Sequence, residues 1–265
     1  VTEGSPRTVA VVGDNTIDRY VGLGARDFVG GNAVNVAVQL RLRGDKVAYF
    51  GAVGADDDGT AIERALSDAS LDIQGLERVN GATAVTTIRL TESGDRVFES
   101  EDFGVTADYY PDPSALRAIA AASWVHLGMI PRAAELVSQL HRLDPSLRIS
   151  QDCSVSSGYG GLTVAFDSAG EDLERGRDCA RNAIAQGARL AIVTLGALGA
   201  IAYDGTTWWM QEPLPVEVVD TTGAGDSFTA GVLDALTRGD TVSEALAVGA
   251  EWAAQTCSHL AGFPQ

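Results

Sequence analysis

The sequence predicts an α/β protein: a central, mostly parallel sheet flanked by helices, with a small β-sheet beside it. Short β-branched runs alternate with helical patterns through most of the 265 residues, the pattern of strands joined by helical crossovers. Residues 82–100 break that alternation with two strand-like runs around Ser93-Gly94-Asp95, as an inserted hairpin does. At 45% hydrophobic, the chain is able to bury a sizeable core.

Taken in order, Thr8 to Val12 is an unbroken apolar run that ends at Gly13 and reads as a buried first strand. Residues 17–29 are too short and Gly-rich for a helix and are placed with the hairpin. Ala33 to Leu42 reads as a helix, Lys46 to Phe50 as a strand and Thr60 to Ala69 as a helix. Further strands are expected at Trp124 to Leu127, Arg148 to Ser150 and Leu190 to Thr194, with a helix over Leu173 to Ala185. Val216 to Val219 is strand-like and Phe228 to Leu236 helix-like. No internal repeat or low-complexity linker interrupts the series. Residues 1–265 are therefore expected to form a single domain, with segments at about 17–29 and 82–107 forming a lid; on periodicity alone an ordinary edge hairpin fits equally well.

Composition excludes several classes. A formal charge of −17 argues against nucleic acid, whose phosphates require a basic face, and against an anionic membrane surface. No run approaches the roughly 18 apolar residues of a membrane span. Residues 1–7 lack the basic and apolar regions of a signal peptide, so a soluble, cytoplasmic setting is expected. Cys153, Cys179 and Cys257 are far apart, as are His126, His141 and His259; neither set has metal-ligand or disulfide-framework spacing. With Lys46 the only lysine, a Walker loop is ruled out. Gly22-Leu23-Gly24-Ala25-Arg26-Asp27 lacks the third glycine and the leading strand of a dinucleotide fold.

The run Asp220-Thr221-Thr222-Gly223-Ala224-Gly225-Asp226 precedes a helix. Its glycines permit close backbone approach, and the helix start offers unpaired N–H groups and a positive dipole end. That suits an anion or developing negative charge. An acid there would repel a bound phosphate unless it takes a proton from the attacking hydroxyl, which is the role considered for Asp226. By spacing alone, a tight turn with Asp226 capping the helix is the commoner use of such a run. Near the N-terminus, Gly13-Asp14-Asn15-Thr16-Ile17-Asp18 follows the first strand, and Gly30-Gly31-Asn32-Ala33-Val34-Asn35 opens a helix. Asn32 and Asn35 are neighbours on its first turn. A carboxylate with two amides suits sugar hydroxyls, although capping of turns by Asp14 and Asn32 is the commoner use of such residues.

The two motifs in this order, Gly-Gly-Asn-Ala-Val-Asn-Val-Ala and Asp-Thr-Thr-Gly-Ala-Gly-Asp-Ser-Phe, resemble the two signatures of the ribokinase (PfkB) carbohydrate kinase family. Val53 to Gly59 and Val193 to Gly196 are similar to further family segments, so the resemblance covers nearly the whole chain. Within the family the sequence looks closest to the fructoselysine 6-kinases, in its Gly-Asp-Asn-Thr-Ile-Asp, Asp95-Arg96-Val97-Phe98 and Gly104 to Asp108 segments.

The resemblance implies a ribokinase-like fold of eight or so main strands with a β lid, and an ATP-dependent carbohydrate kinase. Asp226 would be the catalytic base, with the amides of Gly223, Ala224 and Gly225 as its anion hole. Asp18, Gly31, Asn32 and Asn35 would bind the sugar, and Thr194, Gly196, Gly199, Ala250 and Ala254 the ATP. The family's Asn-x-x-Glu, which organises Mg²⁺, is here Ser168-Ala169-Gly170-Glu171, leaving Glu171 for Mg²⁺. Asp220 and Thr222 match positions that often hold a monovalent cation such as K⁺. The expected acceptor is a fructosamine such as fructoselysine, phosphorylated on a primary hydroxyl; another sugar such as fructose, ribose or 2-keto-3-deoxygluconate, or a binding protein without catalysis, are the alternatives. Acids of the lid, Glu99, Glu101 or Asp102, are candidates to meet the cationic group of a fructosamine, and a homodimer through the lid is compatible with all of this.

Overall fold

The computed structural model describes residues 8–21, 26–90 and 96–265. In chain order it runs β1 (Thr8–Val12), β2 (Thr16–Val21), β3 (Arg26–Gly30), α1 (Asn32–Leu42), β4 (Lys46–Gly54), α2 (Asp57–Asp68) and β5 (Asp72–Val79). Next come β6 (Val85–Leu90), β7 (Arg96–Asp102), α3 (Pro113–Ala120), β8 (Trp124–Leu127), α4 (Ala133–Leu143), β9 (Ile149–Asp152) and β10 (Val164–Ser168). The remainder is α5 (Leu173–Ala185), β11 (Leu190–Thr194), β12 (Ala200–Tyr203), β13 (Trp208–Gln211), α6 (Ala224–Arg238) and α7 (Val242–Cys257).

Nine strands form the main sheet, in the order β13-β12-β11-β10-β9-β8-β1-β4-β5. From β11 to β5 every pairing is parallel, and β12 and β13 close the other edge antiparallel. The apolar run of β1 is explained by burial on both faces: Val9 and Val11 join the core under α1 and α6, Ala10 and Val12 the core under α4 and α5. The second sheet, β3-β2-β6-β7, stands apart from the first. In it β2 and β3 are antiparallel, β2 and β6 parallel, and β6 and β7 antiparallel. The expected association of residues 17–29 with the 82–100 hairpin is therefore found, while Ser93-Gly94-Asp95 and Gly22 to Ala25 lie outside the described residues.

One expected strand is absent. Residues 212–218 have no regular structure, and Val218 and Val219 are 59% and 55% exposed. The edge beyond β13 gives them no partner; instead the N–H of Val219 reaches the Cys257 carbonyl at the end of α7. A β-branched run becomes a strand only where a neighbouring strand accepts it.

Helix ends are set by local chemistry. The Asp56 carboxylate caps α2 by accepting from the N–H of Gly59 at 2.8 Å, and Thr241 with Glu244 forms a capping box at the start of α7. Helices α6 and α7 pack backbone to backbone: a Cβ placed on Gly231 would lie 2.9 Å from the Cα of Gly249. Because α6 carries Asp226 on its first turn, this contact also positions the candidate site. Gly231→Leu should force the helices apart and cost about 1–3 kcal/mol of stability, seen as a lowered Tm in a thermal melt. An unchanged Tm would show that the α6–α7 seam has slack.

Candidate active site

At the carboxyl end of β1 the chain turns through Gly13, Asp14 and Asn15. The buried Asp14 carboxylate accepts hydrogen bonds from the N–H groups of Asn32 (2.7 Å), Ala33 (3.0 Å) and Met129 (3.2 Å). Asp14 therefore caps α1 and ties it to the segment after β8, the turn-capping use that the sequence offered beside sugar binding. Burial, opposed by these backbone amides, pushes its pKa up to about 6. Asn15 donates to the Ala52 carbonyl at 2.8 Å and to the Tyr49 hydroxyl at 3.1 Å. Gly31 enters α1 with φ 110°, and a Cβ there would come within 2.7 Å of the Asn15 Cα, so the turn accepts only glycine.

This turn aims the first residues of α1 at the start of α6. The Asn32 Nδ2 donates to Asp226 Oδ1 at 2.7 Å and to Asp152 Oδ2 at 2.8 Å. The Asn35 Nδ2 donates to the other oxygen of Asp226 at 2.7 Å. Asp226 is thus held through both carboxylate oxygens by two amides one helical turn apart. Gly223, the residue before α6, sits against the same group: a Cβ on it would lie 3.4 Å from the Asn35 Nδ2. The Oδ1 atoms of Asn32 and Asn35 are buried and accept no hydrogen bond among the described residues.

Electrostatically the site is a crowd of carboxylates. Burial is the largest cause that lifts the Asp226 pKa, to about 8; the charges of Asp152 and Asp14 add to it, while the Asn35 and Asn32 amides pull it down. Burial likewise raises Asp152, which the Ser154 backbone and hydroxyl and the Asn32 amide partly offset. A carboxylate with a pKa near neutrality, oriented by two donors, is suited to take a proton from a hydroxyl. Asp152 is the member that sequence reasoning missed. Its signal was available: it ends β9, and open parallel sheets gather ligands at the carboxyl ends of their strands.

The remaining expected residues fall into separate places. Asp18 lies on β2, its Oδ2 only 2.5 Å from where a Cβ of Gly30 would be, two residues ahead of Asn32. Thr194 ends β11 and its hydroxyl donates to the Asp167 carbonyl at 3.3 Å. Glu171 is an exposed residue between β10 and α5, with its Cγ 3.4 Å from a Cβ position on Gly196. Gly199 faces the β13 backbone, since a Cβ on it would meet the Gln211 carbonyl oxygen at 2.0 Å. Ala250 and Ala254 are one turn apart on α7, the first buried and the second half-buried. The buried Asp220 accepts from the N–H of Thr222 at 2.6 Å and of Ala261 at 2.8 Å. The Ala224 N–H donates to the Thr221 carbonyl at 3.2 Å. Among the described residues, no three or more His, Cys, Asp or Glu side chains are grouped to hold a metal ion, and no helix is long and apolar enough to cross a membrane.

An α/β sheet with a second small sheet carries a carboxylate held at a helix N-terminus, and comparison with known proteins supplies the class. Residues 24–141 and 161–262 match the family described as pfkB family carbohydrate kinase, and the chain belongs to it: it is an ATP-dependent sugar kinase. It is 36% identical over 258 residues to the fructoselysine 6-kinase of Escherichia coli (strain K12), an alignment covering 96% of this chain and 98% of that one. It is 30% identical over 264 residues to the fructosamine kinase FrlD of Bacillus subtilis (strain 168), covering 95% and 91%. The solved structure of Arabidopsis thaliana ribokinase complexed with ribose and ATP has the same fold, with a TM-score of 0.86 at 21% identity over 99% of this chain and 96% of that one.

The site's electrostatics carry a direct test. Neutralising Asp152 removes a negative charge that favours protonated Asp226, so Asp152→Asn should lower the Asp226 pKa from about 8. The acid limb of the kcat/KM profile against pH is expected to move to lower pH. A limb that stays in place would mean that Asp226 does not feel that charge.

Proposed function

We propose that this kinase transfers the γ-phosphoryl group of ATP to the 6-hydroxyl of a fructosamine such as fructoselysine. The observation that carries the chemistry is the Asp226 carboxylate, held on both oxygens by Asn32 and Asn35 at the N-terminus of α6. The substrate class rests on the two relatives named for fructoselysine and fructosamine.

In this reading Asp226 takes the proton of the attacking hydroxyl as the phosphoryl group arrives. The amides of Gly223 and Gly225, at the positive end of α6, stabilise the charge on the transferring oxygens. Ala224 joins them only by releasing its N–H from the Thr221 carbonyl. Asp18, Gly31, Asn32 and Asn35 bind the sugar, and the buried Oδ1 of Asn32 accepts one of its hydroxyls. Thr194, Gly196, Gly199, Ala250 and Ala254 surround the nucleotide. The donor set suits Mg²⁺ bound mainly by substrate phosphates, which uses one or two protein carboxylates in place of a cage. Glu171, exposed beside Gly196, is the carboxylate offered for it. When bound, the ion would neutralise charge on the phosphates. A monovalent cation such as K⁺ is assigned to Asp220 and Thr222; a fructokinase double mutant from Vibrio cholerae with this fold was solved with fructose, ADP and potassium ion. The small sheet acts as a lid that excludes water during transfer.

ADP release should be measured with ATP, Mg²⁺ and a panel of fructoselysine, other fructosamines, fructose and ribose. Selective turnover of a fructosamine is the expected result; equal or better turnover of a plain sugar would overturn the substrate assignment and leave the chemistry. Asp226→Asn should retain the fold by circular dichroism and lose about 10²–10⁴-fold in kcat. Turnover near that of the unaltered enzyme would remove Asp226 from the role of base. With a folded-state pKa of about 8, kcat/KM should rise with pH and level off above pH 8, where the carboxylate is ionised.

A further inference from the structure

The small sheet presents its two faces differently. On one, Ile17 joins the main core and the Arg19 guanidinium pairs with Asp58 on α2 at 2.8 Å, so that face lies on the body of the protein. Residues of the other parity in β2, Thr16 and Asp18, belong to the opposite face. There Asp18 stands over Gly30, at the doorstep of Asn32 and Asp226.

Register extends this second face across the sheet. Asp18 is paired with Phe28 on β3 and with Thr86 on β6, and Thr86 is paired with Glu101 on β7. Directly paired residues carry their side chains on the same side, so Phe28, Asp18, Thr86 and Glu101 form one row. The hydroxyls of Thr16 and Thr86, 3.3 Å apart, agree with that assignment. Glu101 is two strands from Asp18, about 10 Å by strand spacing.

The acids of the sheet are not equivalent. Asp27 is paired with Arg19 and Glu99 with Arg89. Asp102 accepts from the Gly104 N–H at 3.0 Å and is paired with Val85, itself paired with Ile17, on the body face. All four are exposed, and of them Glu101 is the one that lies in register with Asp18 and has no protein partner among the described residues. The row therefore offers a carboxylate near the sugar position and a second, unpaired one further out. A fructosamine is a ketose that bears at C1 a basic amine and an amino-acid tail, so it extends positive charge away from the sugar ring.

We propose that Glu101 is a specificity residue, its carboxylate pairing with the cationic C1 substituent of the acceptor sugar while Asp18 and the two asparagines hold the sugar itself. The inference rests on the fructosamine reading above. Unaltered enzyme, Glu101→Gln and Glu99→Gln should be compared with fructoselysine and with fructose, recording kcat and KM separately. Glu101→Gln is expected to raise KM for fructoselysine about ten-fold, the scale of one charge-assisted contact, with kcat and the fructose constants unchanged. Glu99→Gln should match the unaltered enzyme. An unaltered enzyme that shows no preference for fructoselysine over fructose would overturn the fructosamine reading and this inference together. A preference that survives Glu101→Gln intact, or an equal loss in Glu99→Gln, would overturn the assignment of Glu101 alone.

Discussion

A carboxylate buried at the start of α6 has to be held in one orientation, and two amides on α1 do this. Asn32 and Asn35 reach Asp226 across 194 and 191 residues of sequence, so the grip exists only if both helices are docked on the sheet with their N-termini facing. The Asp14 carboxylate, through the N–H groups of Asn32 and Ala33, fixes where α1 begins, and through that of Met129 ties it to the segment after β8. The close Gly231–Gly249 approach fixes how α6 lies on α7. An error of an ångström in either helix would break 2.7 Å bonds, which weaken steeply outside a narrow range of distance and angle.

The same grip explains why a negative side chain is tolerated at a site that handles phosphate. Asp226 sits near Asp14 and Asp152, and all three carboxyls are lifted above their ordinary range, chiefly by burial. Crowding and burial favour the neutral form; the amide donors favour the charged form. The balance leaves Asp226 near 8, basic enough to accept a proton and still ionisable in water near neutrality. Asn32 and Asn35 are the donors that oppose the rise.

The small sheet obeys a different constraint. Its body face is pinned by Ile17 and by the Arg19–Asp58 pair; on the other face Tyr20, Thr86 and Ile88 are buried, while Glu101 at the β7 end of the Asp18 row is exposed. Because a strand alternates its side chains, only residues of one parity take part. That rule separates Glu101 from Asp102, adjacent in sequence and of equal charge, and it acts through register, which depends on which strands are neighbours.

Much of this was determined by the sequence. The unbroken apolar run of β1, the helical periods and the hairpin all appear where local pattern placed them, because burial on one or both faces imposes its period directly on the residue order. The motifs around Asn32 and Asp226 were legible for a similar reason: glycines at the entry to a helix serve close approach or positive φ. What the tertiary structure decided is everything that depends on a distant partner. Val216 to Val219 has strand-forming residues and no strand to join. Asp14 accepts from the amides of Asn32, Ala33 and Met129, far from it in sequence, and Asp152 enters the site only because β9 lies beside β8 in the sheet. Local sequence carries the cost of each backbone conformation, but pairing and electrostatic energy come from groups far apart along the chain, and those meet only when it folds.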